Sequence, residues 1–493
     1  MFLEMLPLKL FAITACLLLF HFVRRSSRKG YIITIRYWPM FFPEFFDRLT
    51  YNSNAAYLVK KGYRKCKDQP FRLLKMDIDL IVIPLKYASE LRSITSEKLD
   101  PLTASFDDNA GRITSILLGS ELHSDAIHRR LTPRLPQVIP IMIAELTDAF
   151  DHFLPWKNDT WVTVNPYDLV LNLSTRAAAR VFVGESLCRD KIFLDTCASY
   201  SRNTFDTINI VRNLGHIIAS VIGNRVSSVR DAREQLRYIQ QLLGSEVERR
   251  RASPDEEQDD FLQWCMDLSR TEQEAQPEGL AHRTLGILSM AVVHTTAMAT
   301  THILFDLITD RDLQERLRAE QKDILKLGWT GISQQAMLDM RQLDSLMRES
   351  QRVNPVGEFT FRRIVREHIT LSDGYQLKPG QQIALPAKCL NMDDGAMSDA
   401  HLFHPLRWAE LQPGSASFSH SSFTNLHFGL GRYACPGRFF ASYMIKAITS
   451  QILLEYDIKL QSEFVSGRPP NIINGDKIFP NRTAVVLLRR RDS

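Results

Sequence analysis

A cysteine near the end of the chain stands in a glycine-containing turn that could present its sulfur as a metal ligand. Residues 428–437 read Phe-Gly-Leu-Gly-Arg-Tyr-Ala-Cys-Pro-Gly. The glycines ahead of the cysteine allow a tight turn, and Gly437 leaves room for a flat ligand. Pro436 suits the first position of a helix, so Cys435 would lie at a helix N-terminus, where a thiolate is favoured and can bind haem iron. The alternative is a buried free cysteine in an ordinary turn.

An acid and a base recur three residues apart at several places in the chain. Glu349 and Arg352 would share one helix face and lie within reach of each other. Elsewhere the same spacing predicts surface ion pairs, at Glu234/Arg237, Glu246/Arg249, Glu248/Arg251 and Glu315/Arg318. Spacing alone therefore does not identify a functional pair.

The cysteine loop resembles a motif of a known family. Phe428, Gly431, Cys435 and Gly437 match the pattern F-x-x-G-x-x-x-C-x-G, which resembles the haem-ligand loop of the cytochrome P450 family. The residues that follow Gly437 resemble fungal members in particular. The resemblance implies that Cys435 binds the iron of haem b as a thiolate, and that Phe428, Gly431 and Gly437 shape the haem-binding loop.

One position in this loop departs from the family pattern. Members usually carry arginine or histidine two residues before the cysteine to bind a haem propionate, whereas this chain has Tyr433. A phenol can donate one hydrogen bond but brings no positive charge. We therefore expect help for Tyr433 from Arg432, Arg129, Arg130 and Arg362. For one of Arg129 and Arg130, a solvated helix face is the alternative.

A second stretch resembles the oxygen-activating helix of the family. Residues 291–296 read Ala-Val-Val-His-Thr-Thr, where the family has A-G-x-D/E-T-T. The resemblance implies that Thr295 binds dioxygen by a hydrogen bond and delivers protons, with Thr296 beside it. His294 replaces the usual acid and can join a proton relay, because histidine titrates near neutral pH. The alternative is a core histidine, with the threonines bonded to helix carbonyls.

The family pattern also selects one of the acid–base pairs. Glu349 and Arg352 lie between the apolar helix and the cysteine loop, as in the family. Residues 403–408 resemble the segment that supplies Arg407 as the third member of a Glu-Arg-Arg network. The resemblance implies that the three residues brace the haem pocket. It also implies substrate contacts from Phe106, residues 200–220, Val293, Thr296, Val356 and Phe479.

These sites need a largely helical scaffold. Apolar residues recur with helical spacing in four long stretches, whereas short segments broken by glycine and proline turns predict strands over 359–385 and 483–488. We expect a mainly α protein with a smaller β-rich part. The resemblance implies the cytochrome P450 fold, preceded by one N-terminal transmembrane helix. The predicted helices cover residues 127–150, 169–183, 231–247 and 285–308.

The composition is that of an ordinary globular protein. Of 493 residues, 44% are apolar and 24% are charged, and the net charge is +5. The arginine run 249–251 predicts a solvated helix end, and no nucleic-acid motif is present, so we expect no nucleic-acid partner. The seven cysteines are odd in number and scattered. Their pattern argues against a disulfide framework and fits a reducing compartment.

The N-terminus has the pattern of a membrane anchor. Residues 5–23 are mainly apolar, with Lys9 as the only strongly charged member, and basic residues follow at 24, 25, 28 and 29. By the positive-inside rule, the body of the protein would lie in the cytosol, on a single-pass anchor in the endoplasmic reticulum membrane. We predict the anchor and its basic stop over residues 1–30, and a catalytic domain over 31–493. A cleaved signal peptide is the alternative.

The resemblance implies a monooxygenase that inserts one atom of O2 into an apolar small molecule and releases the other as water. Electrons would come from NADPH through cytochrome P450 reductase, with cytochrome b5 as a further partner. Likeness to fungal kaurene-oxidase-like enzymes suggests a terpenoid substrate in secondary metabolism. The alternatives are polyketide, alkaloid or fatty-acid hydroxylation, a haem-thiolate isomerase or dehydratase, and a haem-based sensor.

Overall fold

A computed structural model describes residues 32–491 apart from 115–119, 155–159, 216–217, 220, 222–224, 327, 330–331, 462–463 and 465–466. The predicted membrane anchor at residues 5–23 lies outside the described residues. The chain divides into two compact units, here called the small unit (residues 1–104 and 361–386) and the large unit (residues 105–360 and 387–493).

The secondary structure is mainly helical with a smaller sheet part, as predicted. Within the described residues, two segments are wound as π-helix, Ile127–Leu131 and Ile287–His294. The α-helices are α1 Glu44–Lys65, α2 Ala88–Leu91, α3 Pro101–Asp108, α4 Gly111–Thr114, α5 Leu122–Ala126, α6 Leu135–Phe153, α7 Pro166–Val183, α8 Lys191–Leu214, α9 Ser227–Ala252, α10 Phe261–Leu268, α11 Glu272–Ala275, α12 Pro277–Gly286, α13 Thr295–Ile308, α14 Arg311–Ile324, α15 Gln334–Asp339, α16 Arg341–Val353, α17 Ala387–Asn391, α18 Pro413–Ala416 and α19 Arg438–Glu455. The strands are β1 Ile33–Thr34, β2 Phe71–Leu74, β3 Asp79–Val82, β4 Leu99–Asp100, β5 Val162–Val164, β6 Thr360–Val365, β7 Ile369–Thr370, β8 Gln376–Leu377, β9 Gln382–Leu385, β10 Tyr456–Leu460, β11 Ile472–Asn474, β12 Lys477–Phe479 and β13 Val486–Arg490.

The small unit is built on a sheet with the strand order β1-β2-β3-β9-β6-β4. β2 and β3 pair antiparallel with Phe71 opposite Val82, and β3 pairs parallel with β9. Helix α1 comes close to this sheet at Gly62, where an added Cβ would lie 2.3 Å from the Phe71 ring. Gly62 is therefore needed for the close approach of helix and strand.

The large unit is organised around one long helix. α12, the second π-helical segment and α13 run continuously from Pro277 to Ile308. In the described part of the chain, this helix is long and apolar enough to cross a membrane. However, 83% of its most apolar 18-residue stretch is buried inside the protein. A helix that is apolar all round is expected in the core of a large protein. Helix α7, which begins at Pro166 with Asn165 as its N-cap, contacts α13.

The sequence patterns predicted the positions of the helices and strands better than the residues at which these elements begin. The predicted helices 169–183 and 231–247 lie within α7 and α9, but the one at 127–150 begins as π-helix and a 3-10 turn and becomes α6 only at Leu135. Pro133 lies in the 3-10 turn and Pro136 in the first turn of α6, where proline is well tolerated because the N–H it lacks would have no partner within the helix. The last strand begins at Val486, because Asn481 accepts hydrogen bonds from the Thr483 and Ala484 amides in a turn.

Two cations predicted to lie at the surface are buried. In the run 249–251, Arg250 pairs with Asp260 through two bonds of 2.8 and 2.7 Å, because the chain beyond α9 folds back onto it. Arg318 of the predicted surface pair Glu315/Arg318 is also buried, and its guanidinium donates to the carbonyls of Leu453 and Tyr456. The partner of Arg250 lies ten residues away, whereas those of Arg318 lie more than a hundred residues away.

Candidate functional site

The loop before α19 folds as the glycine pattern requires. Gly429 and Gly431 have φ of 81° and 75°, values that residues with a Cβ rarely adopt. The amide of Cys435 donates to the carbonyl of Phe428 over 2.7 Å and closes the loop. Gly437 follows, and α19 begins directly after it. Cys435 therefore lies just ahead of a long helix, as predicted.

The thiol of Cys435 lies on the wall of a cavity. The residue is exposed, and it belongs to the lining of this cavity. Burial raises the pKa of the Cys435 thiol above its usual value, while backbone N–H groups of Gly437 and Arg438 and the Arg438 charge act in the opposite direction. These N–H groups would stabilise a thiolate, and a bound metal would deprotonate the thiol outright.

The cavity measures about 360 Å³, and all the residues that line it belong to the large unit. Most of the lining side chains are apolar, including Leu131, Phe182 and Met290. Of the predicted substrate contacts, Val356 and Phe479 line it, as do Phe205 and Arg212 from the 200–220 segment. Phe106, Val293 and Thr296 are not among the described lining residues.

The long helix supplies another wall of the cavity. Ala291, Val292, His294 and Thr295 all line it, at the junction of the π-helical segment and α13. π-helical turns inside α-helices are often found at functional sites, because they displace the helix locally. The hydroxyl of Thr295 donates to the carbonyl of Ala291 over 2.5 Å. Thr295 thus combines a helix-bound hydroxyl with access to the cavity.

Neighbouring His294 and Thr296 are packed into the core. His294 Nδ1 lies 2.9 Å from the Tyr167 hydroxyl, and its ring stacks on Phe205 with centroids 3.6 Å apart. Burial, together with the charge of Arg482, lowers the pKa of His294 well below its usual value, so the imidazole is neutral at physiological pH. Thr296 is buried, and its hydroxyl has no hydrogen-bond partner among the described residues.

The cations expected near a haem propionate occupy different places. Arg129 is 59% exposed and lies 3.7 Å from Asp125, and half-buried Arg130 follows it. Arg432 lies over the Tyr433 ring, with 5.7 Å to its centroid. None of these three arginines is among the described residues that line the cavity, and neither is Tyr433. Arg362 belongs to β6 of the small unit.

A histidine that the motifs did not indicate does line the cavity. His123 belongs to α5, and its Nδ1 lies 3.4 Å from a nitrogen of Arg283. Burial, with the charge of Arg283, lowers the pKa of His123 to about 4. Lys477 also lines the cavity and was missed, although its position two residues before Phe479 could have indicated it. Arg212, the other lining cation, lies within the predicted 200–220 segment.

The Glu349, Arg352 and Arg407 side chains come together in a buried network. Arg352 holds both carboxylate oxygens of Glu349, at 2.8 and 2.7 Å, and Arg407 approaches one of them at 3.3 Å. The His404 amide and the Trp408 indole also donate to Glu349. Burial opposes ionisation of Glu349, but these bonds and the arginine charges outweigh it and hold its pKa below the usual value.

The residues around the cavity fit a haem group. A thiol ahead of a helix N-terminus is the ligand that haem iron takes in thiolate-bound sites. Added Cβ atoms at Gly437 and Gly286, both on the cavity wall, would meet no atom within 4 Å. Open space for a flat ring thus lies beside the cysteine loop as well as beside the long helix.

Comparisons with known proteins agree with this geometry. The family model for cytochrome P450 matches residues 114–477. Cytochrome P450 monooxygenase ltmP of Epichloe festucae var. lolii is 66% identical, over 99% of this chain and 98% of its own. Cytochrome P450 monooxygenase paxP of Penicillium paxilli is 42% identical, over 93% of this chain and 90% of its own. The solved structure of retinoic acid-bound cyanobacterial CYP120A1 shares the fold, with a TM-score of 0.72 at 16% identity, and covers 94% of this chain and 100% of its own.

These matches decide one of the questions that the sequence left open, whether the chain is a monooxygenase. Monooxygenases of this family use haem iron with a thiolate ligand, O2, a small-molecule substrate and a redox partner. The family match covers most of the chain, and the relatives at high identity are monooxygenases by name. The chain therefore belongs to the cytochrome P450 family and is a monooxygenase.

Proposed function

We propose that this monooxygenase oxidises a terpenoid in fungal secondary metabolism, on a haem b held by Cys435. The observation that carries the proposal is that the Cys435 thiol and the Thr295 hydroxyl line one mainly apolar cavity. The haem supplies O2 activation when it is bound. Apolar walls would exclude water and hold a hydrophobic substrate by burial of its surface. The fungal origin of the relatives supports the setting.

We assign different tasks to the residues around the cavity. Thr295 Oγ1 would pass a proton into the cavity, which requires the hydroxyl to turn away from the Ala291 carbonyl that it now binds. His294 is neutral and bonded to Tyr167, so it would position the helix and carry no charge. Glu349, Arg352 and Arg407 brace the segment that leads to the cysteine loop.

The haem propionates need their own partners. Phe428, Gly431 and Gly437 form the loop, and Tyr433 with Arg432 would bind the propionates. We keep Arg129, Arg130 and Arg362 as further candidates for these contacts, although none of them is among the described lining residues.

Electrons would come from NADPH through cytochrome P450 reductase, with cytochrome b5 as a second donor. Arg432 is exposed, and Arg438 bonds through Nη1 to the carbonyl of Cys435 over 2.9 Å. Both lie beside the cysteine loop, where positive charge would attract an acidic redox partner.

We also propose a location for the protein. Residues 1–30 would anchor it by a single pass in the endoplasmic reticulum membrane, with the catalytic domain of residues 31–493 in the cytosol. The first described residues support this, because they expose a cluster of large apolar side chains that suits a lipid surface. Its members include Tyr37, Met40, Phe41, Phe45 and Leu49, with Phe41 82% exposed.

The carbon monoxide spectrum tests the haem assignment. Cys435→Ser in the full-length protein should abolish the absorption band of the reduced carbon monoxide complex that is typical of thiolate-ligated haem. Cys389→Ser, at a half-buried cysteine that is not among the lining residues, is the matched control and should keep it. Retention of the band in Cys435→Ser would exclude this cysteine as the ligand.

The amount of product formed per NADPH consumed tests the role of Thr295. Thr295→Ala should leave haem bound but divert NADPH-derived electrons into hydrogen peroxide, because the proton donor on the cavity wall is lost. The measurement is product formed per NADPH consumed, after expression beside a reductase and feeding of candidate terpenes. Thr300→Ala, at a buried threonine of the same helix that is not among the lining residues, is the control. Unchanged coupling in Thr295→Ala would assign the protons to another group.

A further inference from the structure

The cavity wall carries two cationic side chains in mainly apolar surroundings. Arg212, from the last turn of α8, and Lys477, the first residue of β12, both line it. Among the described lining residues there is no aspartate or glutamate. A molecule that enters the cavity therefore meets strong hydrogen-bond donors at this place and no carboxylate.

One carboxylate outside the lining set holds both cations. Lys477 Nζ lies 2.9 Å from Asp108 Oδ2, and Arg212 Nη2 lies 3.4 Å from the same oxygen. Arg212 also donates to the backbone carbonyl of Asp108 over 2.7 Å. The side chains of Asp108, Arg212 and Lys477 are only 8%, 18% and 19% exposed. Asp108 thus joins three elements, α3, α8 and β12, and holds two long, flexible side chains in place.

We propose that Arg212 and Lys477 form an oxygen-binding site that determines substrate specificity. The site would bind a hydroxyl or ketone oxygen on an otherwise apolar polycyclic substrate. Hydrogen bonds from cationic donors are stronger than those between neutral groups. Asp108 offsets part of the positive charge, which favours a neutral oxygen over a carboxylate, and a substrate amine would be repelled. The inference rests on the proposed function, since it concerns the substrate of the same cavity.

Such a site would also orient the substrate. Arg212 and Lys477 come from α8 and β12, whereas Thr295 and Cys435 come from the long helix and the loop before α19. An oxygen bound by the two cations fixes one end of a rigid molecule. It thereby limits which carbon can reach the oxidising centre, and orientation of this kind contributes to rate as well as to selectivity.

Binding of two matched probes tests the inference. Androstane and its monoketone androstanone share one rigid apolar skeleton and differ in a single oxygen. Each is titrated into full-length, haem-loaded protein, and the dissociation constant is read from the change in haem absorption. Lys477→Met should weaken androstanone binding about ten-fold, the scale of one charge-assisted hydrogen bond, and change androstane binding less than about two-fold.

Arg212→Gln should give the same pattern, and it guards against a folding defect specific to Lys477→Met. Lys98→Met, which removes a surface lysine paired with Glu367 in the small unit, should affect neither probe. Equal weakening of both probes would mean that the cluster is merely structural. No weakening of androstanone, or no binding of it by the unaltered protein, would also overturn the inference. The carbon monoxide band needs no substrate, so a failed haem assignment is detected separately.

Discussion

Two glutamate–arginine pairs with the same spacing lie in opposite environments in the large unit. Glu349 and Arg352 approach to 2.7 Å with side chains 0% and 4% exposed, whereas Glu248 and Arg251 approach to 3.2 Å with side chains 63% and 41% exposed. The helix brings the partners together in both cases, as residues three apart on a helix must be. Spacing therefore determines contact, and the surroundings determine what the contact is worth.

The surroundings differ in number of partners as well as in burial. Besides Glu349, Arg352 donates to the carbonyls of Asn391, Ala400 and Leu402, at 2.6, 2.5 and 2.8 Å. A planar guanidinium with five N–H donors can satisfy all of these at once. Arg251 has a carbonyl partner besides Glu248, that of Ala275. The buried pair thus holds the segment from Asn391 to Leu402 against α16, whereas the exposed pair lies at the solvated end of α9.

Removal of Arg352 should have the largest effect. Arg352→Met leaves the Glu349 carboxylate buried with only the more distant Arg407 as a charged partner, and such a loss typically costs about 3–5 kcal/mol. We expect this fall in the free energy of unfolding in urea, followed by tryptophan fluorescence on the haem-loaded protein. Arg352→Lys should recover only part of the lost stability, because an ammonium cannot bind both carboxylate oxygens with the planar geometry of a guanidinium. Full recovery by lysine would show that charge alone matters.

Acid should weaken the same network. The pKa of Glu349 is held below its usual value of about 4.3, so its contribution is fully present above that pH and is lost as the pH falls through the folded-state pKa. The stability difference between the unaltered protein and Glu349→Gln should therefore be constant from about pH 7 to about pH 5, and shrink below about pH 4. Urea unfolding across this range measures it. A difference that grows on acidification would reverse the assigned direction.

Arg318 should give an intermediate effect. Its side chain is 4% exposed, while that of Glu315 is 53% exposed, so one partner of this pair is buried and the other lies at the surface. Arg318→Met leaves the carbonyls of Leu453 and Tyr456 without their guanidinium donor, and we expect a loss of about 2 kcal/mol in the same unfolding assay. Glu315→Gln, the matched control at the exposed partner, should change little. Equal effects of the two substitutions would mean that the ion pair, and not the buried carbonyl contacts, carries the energy.

These pairs also show how far the sequence could predict the fold and the site. The cysteine loop was predictable because glycine, proline and cysteine impose local backbone conformations, as the positive φ of Gly429 and Gly431 confirms. The burial of Arg318 was not, because its partners Leu453 and Tyr456 lie more than a hundred residues away. The same holds for Lys477, which reaches the cavity beside Asp108. Side-chain environment is a property of packing, and a local pattern does not contain it.

The exposed pair should show the smallest effect, and it makes the comparison quantitative. Glu248→Gln removes one charge from a solvated helix face, where pairs of this kind contribute less than about 0.5 kcal/mol. The small change should vanish at high salt, because screening acts on exposed charges and much less on buried ones, whereas the loss in Arg352→Met should persist. Urea unfolding at low and high sodium chloride measures both. A salt-resistant loss near that of Arg352→Met would show that spacing alone, and not burial, governs the strength of these pairs.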